Sequence, residues 1–518
     1  MLLGIVAFAL VLEITDPFAP GLDPDALAYM GSAQSFAHHG EFRTPTARWW
    51  SADSTSALAH FPPGFATALA VPVRLGMDPM QSARLVQALS AFVTVTTLVL
   101  LVSEAASPVA GVLLAAALFT MSSMHEVHVS VLSEPLFLAL LVLTLAAMLR
   151  RPDRPWIAGL TAALATLTRY AGISIVGATA LWSLARRGTL AARLRNAMLA
   201  LLPTVVLQGL WFVRTKRLGG GEKIRDVALY GGLGATLEQG ATTLVWWLVP
   251  SPDDWEEKVP HQRAAALAAV LVLVLIVATG AWRAARARAA GADAETRDRA
   301  EGVRLLAAGT LLIACYVGVL LASRVFADPG IPFDERILAP VMLLGATVAA
   351  TGIALWWRST PSELPKIAVA GALLGWWAAA GSFTHNEATW ALEHGSDFTS
   401  DQWRQSDLIA WARAEGAAHP LYTNWPVMSY FYLRRPARDV PRLNETARMG
   451  EFVDSLRHDD GRILEFTWPG IEYMPVDSLE KVPGLRVVAR RADGVVFAAV
   501  GEATPTRPPK SAPPSRSR

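Results

Sequence analysis

HEVHVSVLSEPLFLALLVLTLAAML (125–149) decides the class of this chain. From Val131 to Leu149 the only charge is Glu134, and the run approaches the roughly 20 apolar residues that carry a helix across a bilayer. Comparable blocks lie at 83–103, 196–213, 264–282, 304–322, 337–357 and 366–383, with shorter or interrupted ones at 2–14, 108–121, 156–168 and 171–185. Of the 518 residues, 53% are apolar and 17% charged, against roughly 45–50% and about 25% in soluble domains. The excess is gathered into blocks, so the expected fold class is an α-helical polytopic membrane protein of about eleven transmembrane helices. The segment 64–77, which holds Pro72 and Arg74, reads as a helix at or dipping into the interface.

The charges are sorted by position. With the N-terminus inside, the inner loops hold Arg150, Arg151 and Arg154, then Arg186, Arg187, Arg193 and Arg195, then the arginines of 283–304, while the outward loop 122–130 has no Lys or Arg. That is the positive-inside pattern; it places the N-terminus in the cytoplasm and the C-terminus outside a bacterial inner membrane. Residues 1–384 read as the transmembrane domain, with outward loops at 15–82 and 214–263. Residues 385–503 read as a small periplasmic α/β domain with helices at 401–414, from 427 and near 451–457, and strands at 420–423, 462–466, 485–489 and 494–500. The Pro/Ser/Arg-rich tail 504–518 cannot bury enough apolar surface to fold. The block 2–14 is short for a span and lacks a small-residue cleavage site, so a start that trims the first helix fits it better than a signal peptide. A net charge of +2 gives no case for nucleic acid as a partner. The single cysteine, Cys315, lies in an apolar block and excludes an intrachain disulfide. Walker A, dinucleotide-binding and HExxH motifs are absent, which removes nucleotide-driven and zincin chemistry.

The candidate chemistry lies at the outward ends of the spans. In GLDPDALAYMGSAQSFAHHG (21–40), Asp23 before Pro24 is a helix start, and Asp25 falls in the first turn, where the helix dipole favours a carboxylate. Tyr29 shares a face with Asp25. Glu134 precedes Pro135 at the mouth of a span. Arg169 interrupts an apolar helix pair in LTRYAG (167–172), and Arg336 follows Asp334 and Glu335 in DERILAP (334–340). Arginines at such boundaries pair with carboxylates or hold anions, and a guanidinium suits phosphate. His125, Glu126 and His128 carry donors for a divalent metal, but two histidines at i, i+3 without a third fixed ligand do not define a site. Trp49, Trp50, Trp246, Trp247 and Trp255, in the outward loops, read as interface anchors, with sugar stacking as the lesser alternative. FPPGF (61–65) signals a turn.

This order of features resembles the GT-C class of integral-membrane glycosyltransferases, of the protein O-mannosyltransferase, aminoarabinose-transferase and Rgt-like kinds. The resemblance rests on Asp25 and Tyr29 after the first span, the PPG turn, SEPLF (133–137), LTRYAG (167–172) and ERILAPVM (335–342), and it covers roughly 1–385. It implies transfer of a sugar from a polyprenyl-phosphate donor to a lipid, glycan or protein acceptor at the outer face, usually with inversion. Asp25 would be the general base. Asp23, Tyr29, Glu134, Arg169, Glu335 and Arg336 would bind substrate. Several relatives have a DE pair where this chain has Asp25–Ala26, which leaves metal dependence and the base open; no other cofactor is implied. A transporter or lipid flippase is the rival reading, and it would need ionisable residues deep within several spans.

Overall fold

The computed structural model describes residues 1–16, 18, 20–218, 228–249, 255–290, 294–328, 330–468 and 473–501. The expected disordered tail 504–518 and part of the loop 214–263 lie outside the described residues. Among the described residues six helices are long and apolar enough to cross a membrane: Pro79–Ala105, Leu190–Arg217, Gln262–Arg286, Ala300–Phe326, Glu335–Ser359 and Glu363–His394. A seventh span arises if Pro108–Phe119 and Ser122–Val129, bent by 60° at their junction, are counted together. The count falls below eleven because Leu2–Ile14, Pro155–Thr168 and Tyr170–Ala185 are apolar but short, and Glu134–Arg150 has 17 residues.

The chain forms two compact units. The first comprises residues 1–17, 59–65 and 83–393. Its core joins Leu98 and Val102 to Leu138, Val142, Ala162, Val176, Leu305, Leu312 and Leu343, all buried. Small residues set the closest approach. A Cβ on Gly159 would stand 2.1 Å from the carbonyl oxygen of Ala200, so Pro155–Thr168 packs on Leu190–Arg217 only with glycine at that position.

The second unit comprises residues 18–58, 66–82 and 394–518. Residues 18–58 and 66–82 of the first outward loop therefore group with the C-terminal residues, whereas 59–65 stay with the first unit. The strands are β1 (Arg43–Thr44), β2 (Thr46–Ala47), β3 (Ser56–Ala57), β4 (Leu421–Thr423), β5 (Ala437–Asp439), β6 (Arg462–Phe466), β7 (Leu485–Arg491) and β8 (Gly494–Ala499). β1 pairs with β3, and the other six form one sheet in the order β2-β5-β4-β6-β8-β7. β2, β5, β4 and β6 run parallel, while β8 and β7 are antiparallel additions. One apolar cluster of this unit centres on Trp49, Tyr422, Phe452, Leu456, Ile463 and Phe497.

Trp49 is thus a core residue, not an interface anchor. Its backbone N–H donates to Asp439 (2.9 Å) and its indole N–H to Glu445 (3.3 Å), while Arg448 stacks 4.7 Å over the ring. An amphipathic ring satisfies its N–H as readily inside a domain as at a headgroup layer. The side chain of Trp255 lies outside the described residues.

Candidate functional site

The first unit brings Glu134, Arg169 and Arg336 together. Glu134 opens the helix Glu134–Arg150, with Pro135 beside it in the first turn. Arg169 occupies a break: Pro155–Thr168 ends, Arg169 takes an extended conformation, and a short 3-10 turn, Tyr170–Gly172, leads into Ile173–Ala185. That break projects the guanidinium from a helix end. Arg336 lies in the first turn of Glu335–Ser359, whose N-terminus is capped by Asp334 accepting from the Ile337 N–H at 2.8 Å.

Both guanidinium groups bind the same atom. Arg169 Nη1 and Arg336 Nε each pair with Oε1 of Glu134. Arg169 Nη1 also donates to the Ser133 hydroxyl (3.1 Å), which donates to Oε2 of Glu134 (3.2 Å). Glu134 is 3% exposed, and the arginines are 17% and 19% exposed. Two guanidinium groups thus share one buried carboxylate and stay partly accessible, and a guanidinium fork suits an anion such as phosphate. Ser133 was not among the expected residues, although its place before Glu-Pro at a helix start marks a capping position.

The turn FPPGF has a use here that its sequence did not disclose. A Cβ on Gly64 would stand 2.6 Å from the carbonyl oxygen of Leu167 and 2.9 Å from the Thr168 nitrogen. The turn lies directly on the backbone that leads into Arg169.

Glu335 faces Ser122, whose hydroxyl lies 3.1 and 3.0 Å from its two carboxylate oxygens. Glu126, on Ser122–Val129, is exposed and within electrostatic reach of Glu335, Asp334, Arg336 and Glu134. His128 is buried and donates from Nδ1 to the Met124 carbonyl oxygen (2.7 Å). Among the described residues no three His, Cys, Asp or Glu side chains are grouped to hold a metal. His125, Glu126 and His128 all lie on the helix Ser122–Val129 and are not among such a group.

Asp23, Asp25 and Tyr29 belong to the second unit. Asp23 caps Pro24–His39, its Oδ1 accepting from the Asp25 N–H at 3.0 Å. Asp25 is half-buried in the first turn, and Tyr29 is buried.

No family model matches the chain, and no curated protein matches it. Solved structures do. ArnT from Cupriavidus metallidurans, bound to undecaprenyl phosphate, aligns over 98% of this chain and 99% of its own at 17% identity, with a TM-score of 0.49. The arabinofuranosyltransferase AftD from Mycobacteria aligns over 97% of this chain at 14% identity, with a TM-score of 0.54, and this chain spans 41% of its length. The oligosaccharyltransferase of Archaeoglobus fulgidus aligns over 90% of this chain and 69% of its own, at 12% identity and a TM-score of 0.46. The AftD likeness shows a fold shared over nearly the whole of this chain.

Proposed function

We propose that this protein transfers a sugar from a polyprenyl-phosphate-linked donor to an acceptor hydroxyl at the extracytoplasmic face of the bacterial inner membrane. The observation that carries the proposal is the arginine pair on Glu134: two largely buried but still accessible guanidinium groups share one buried carboxylate in an apolar helical body. A lipid-linked sugar phosphate requires hydrocarbon walls for its chain and a cation for the phosphate that leaves. The shared GT-C fold supports the same reading. In the reaction, the acceptor oxygen bonds to the anomeric carbon, and the bond from that carbon to the phosphate oxygen breaks. The phosphate departs with the electron pair and is stabilised by Arg169 and Arg336. We assign Asp25 as the base that takes the acceptor proton, with inversion at the anomeric carbon, and Tyr29 and Asp23 as residues that shape and orient its helix. We assign eleven crossings by adding the four shorter apolar helices to the six long ones and the bent pair, with a cytoplasmic N-terminus and an extracytoplasmic second unit. The acceptor is a lipid, a glycan or a protein.

The test is glycolipid profiling of a deletion strain complemented with wild-type, Asp25→Asn or Arg336→Ala protein. A glycoconjugate lost on deletion and restored only by the wild-type chain is expected. A profile identical in the deletion strain and its parent overturns the reading.

A further inference from the structure

Arg336 is delivered by a connection without regular structure. Between the helices Ala294–Phe326 and Glu335–Ser359, the described residues of 327–334 form neither helix nor strand, so their backbone polar groups need partners from elsewhere. The helix Leu233–Leu248 supplies them at Phe333, shortly before Arg336 in the chain. The Phe333 N–H donates to Oε1 of Gln239 (3.0 Å), and the Thr243 hydroxyl donates to the Phe333 carbonyl oxygen (2.6 Å). Gln239 and Thr243 stand at i and i+4, so one helix face meets both polar groups of one residue. Arg324, in the last turn of the helix that precedes the connection, braces the same arrangement. Its Nε donates to the Thr236 hydroxyl (2.9 Å), and its Nη1 donates to the Ile331 carbonyl oxygen. Thr236 and Thr243 are buried, and Phe333 is itself part of the apolar core.

The side chains are matched in kind to the backbone they meet. Arg324 donates to the carbonyl of Ile331, Gln239 accepts from the N–H of Phe333, and Thr243 donates to the carbonyl of Phe333. Burial of the Phe333 ring is non-directional and leaves the peptide planes free to rotate. Hydrogen bonds to both of its backbone groups remove that freedom, because they hold only near their preferred angle. Asp334 follows in an extended conformation and accepts from the Ile337 N–H (2.8 Å), which sets where the helix, and with it Arg336, begins. A guanidinium that must meet Glu134 and also an anion tolerates little displacement, so it depends on whatever holds its backbone.

We infer that Gln239 and Thr243, braced by Arg324, are positioning residues that set Arg336 against the donor phosphate. The inference rests on the reading of Arg336 as part of that phosphate site. To test it, the full chain in lipid nanodiscs is titrated with farnesyl phosphate, and thermal unfolding is followed in the same samples. Arg336→Ala is expected to weaken binding about tenfold or more, as loss of a charged hydrogen-bond donor does. Gln239→Ala, at an exposed position, and Thr243→Val, which keeps the shape and loses the hydroxyl, should each weaken it about fivefold, the worth of one net hydrogen bond. Thr243→Ser, which keeps the donor, should stay within about twofold of wild type. In the Arg336→Ala background, Gln239→Ala and Thr243→Val should cost no further affinity, because they act through that guanidinium, whereas a general loosening of the fold would cost the same in both backgrounds. Should Thr243→Val fail to fold, the cycle with Gln239→Ala decides alone. Wild-type affinity in Gln239→Ala, or equal losses in the two backgrounds, overturns the positioning role while the phosphate site stands. Failure of wild-type protein to bind farnesyl phosphate, or wild-type affinity in Arg336→Ala, overturns the phosphate site and the positioning role with it.

Discussion

Glu134 and Arg336, 202 residues apart in sequence, form an ion pair in which the arginine donates through Nε to a carboxylate oxygen that Arg169 also holds. A buried carboxylate between two cations is a keystone in electrostatic terms. Removing one partner of a buried pair typically costs about 3–5 kcal/mol, because the remaining charge is left uncompensated. Glu134→Ala is therefore expected to destabilise the chain by about that amount in thermal unfolding in detergent. Arg336→Ala in that background should cost markedly less than Arg336→Ala alone, since the two residues share one network. Additive effects in the double-mutant cycle would show that the pair is not energetically coupled.

Arg336→Lys separates charge from geometry. Lysine keeps the positive charge but cannot present Nε to Glu134 and a fork of N–H groups elsewhere at once. If the guanidinium holds the donor phosphate, this variant should raise the donor KM by about tenfold or more. Stability should fall less than in Arg336→Ala. A lysine variant with wild-type donor KM would remove the phosphate contact from the mechanism.

Gly64 offers a test of the backbone that carries Arg169. Any side chain there meets the Leu167 carbonyl oxygen at 2.6 Å, and overpacking of this kind typically costs about 1–3 kcal/mol. Gly64→Ala should lower the melting temperature and also reduce transfer, because the displaced segment runs into Arg169. Loss of stability with fully retained transfer would show that Arg169 holds its place without this contact.

Much of this was legible in the residues themselves. Glu134, Arg169 and Arg336 declare themselves as charges at the mouths of apolar helices, where only function or pairing explains them. Their convergence on one oxygen was not legible, since single-sequence patterns carry no signal across 202 residues. β6, β7 and β8 lie within two residues of the expected strands 462–466, 485–489 and 494–500, whereas β2 and β5, with two and three residues, are too short to show a pattern. The expected helix 401–414 divides into Asp401–Arg404 and Asp407–Ala414 because Ser406 caps the second, its hydroxyl accepting from the Ile409 N–H (3.1 Å). Ser406 is of a capping residue type set within an otherwise helical pattern.

Trp49 ties the first outward loop to the C-terminal sheet. It is 1% exposed and packs 5.5 Å from Phe452, and the adjoining β2 pairs with β5. Truncation of a buried tryptophan typically costs about 3–5 kcal/mol. Trp49→Ala should therefore speed amide hydrogen exchange in β4, β5 and β6 of the full chain. A fragment starting at residue 385, which lacks both β2 and Trp49, should show the same fast exchange. Protection equal to that of the intact protein would mean that the C-terminal sheet is complete without the loop.

Glu465 gives the second unit a pH dependence whose sign is fixed by its surroundings. It sits in β6, fully buried, and neither carboxylate oxygen has a hydrogen-bond partner among the described residues. Burial pushes its carboxyl well above the usual range. The folded unit then binds this proton more tightly than the unfolded chain, whose glutamates titrate near 4.3. The stabilisation is complete below that value and is lost as pH climbs toward the raised one. Glu465→Gln, which keeps the shape and removes the titration, should leave hydrogen-exchange protection of β6 and β8 little changed at pH 5 and increase it at pH 8. The wild-type chain should lose protection over that interval, beyond the intrinsic rise in exchange rate, and the variant should not. Parallel pH profiles in the two proteins would mean that Glu465 finds a proton donor or a cation in the folded chain.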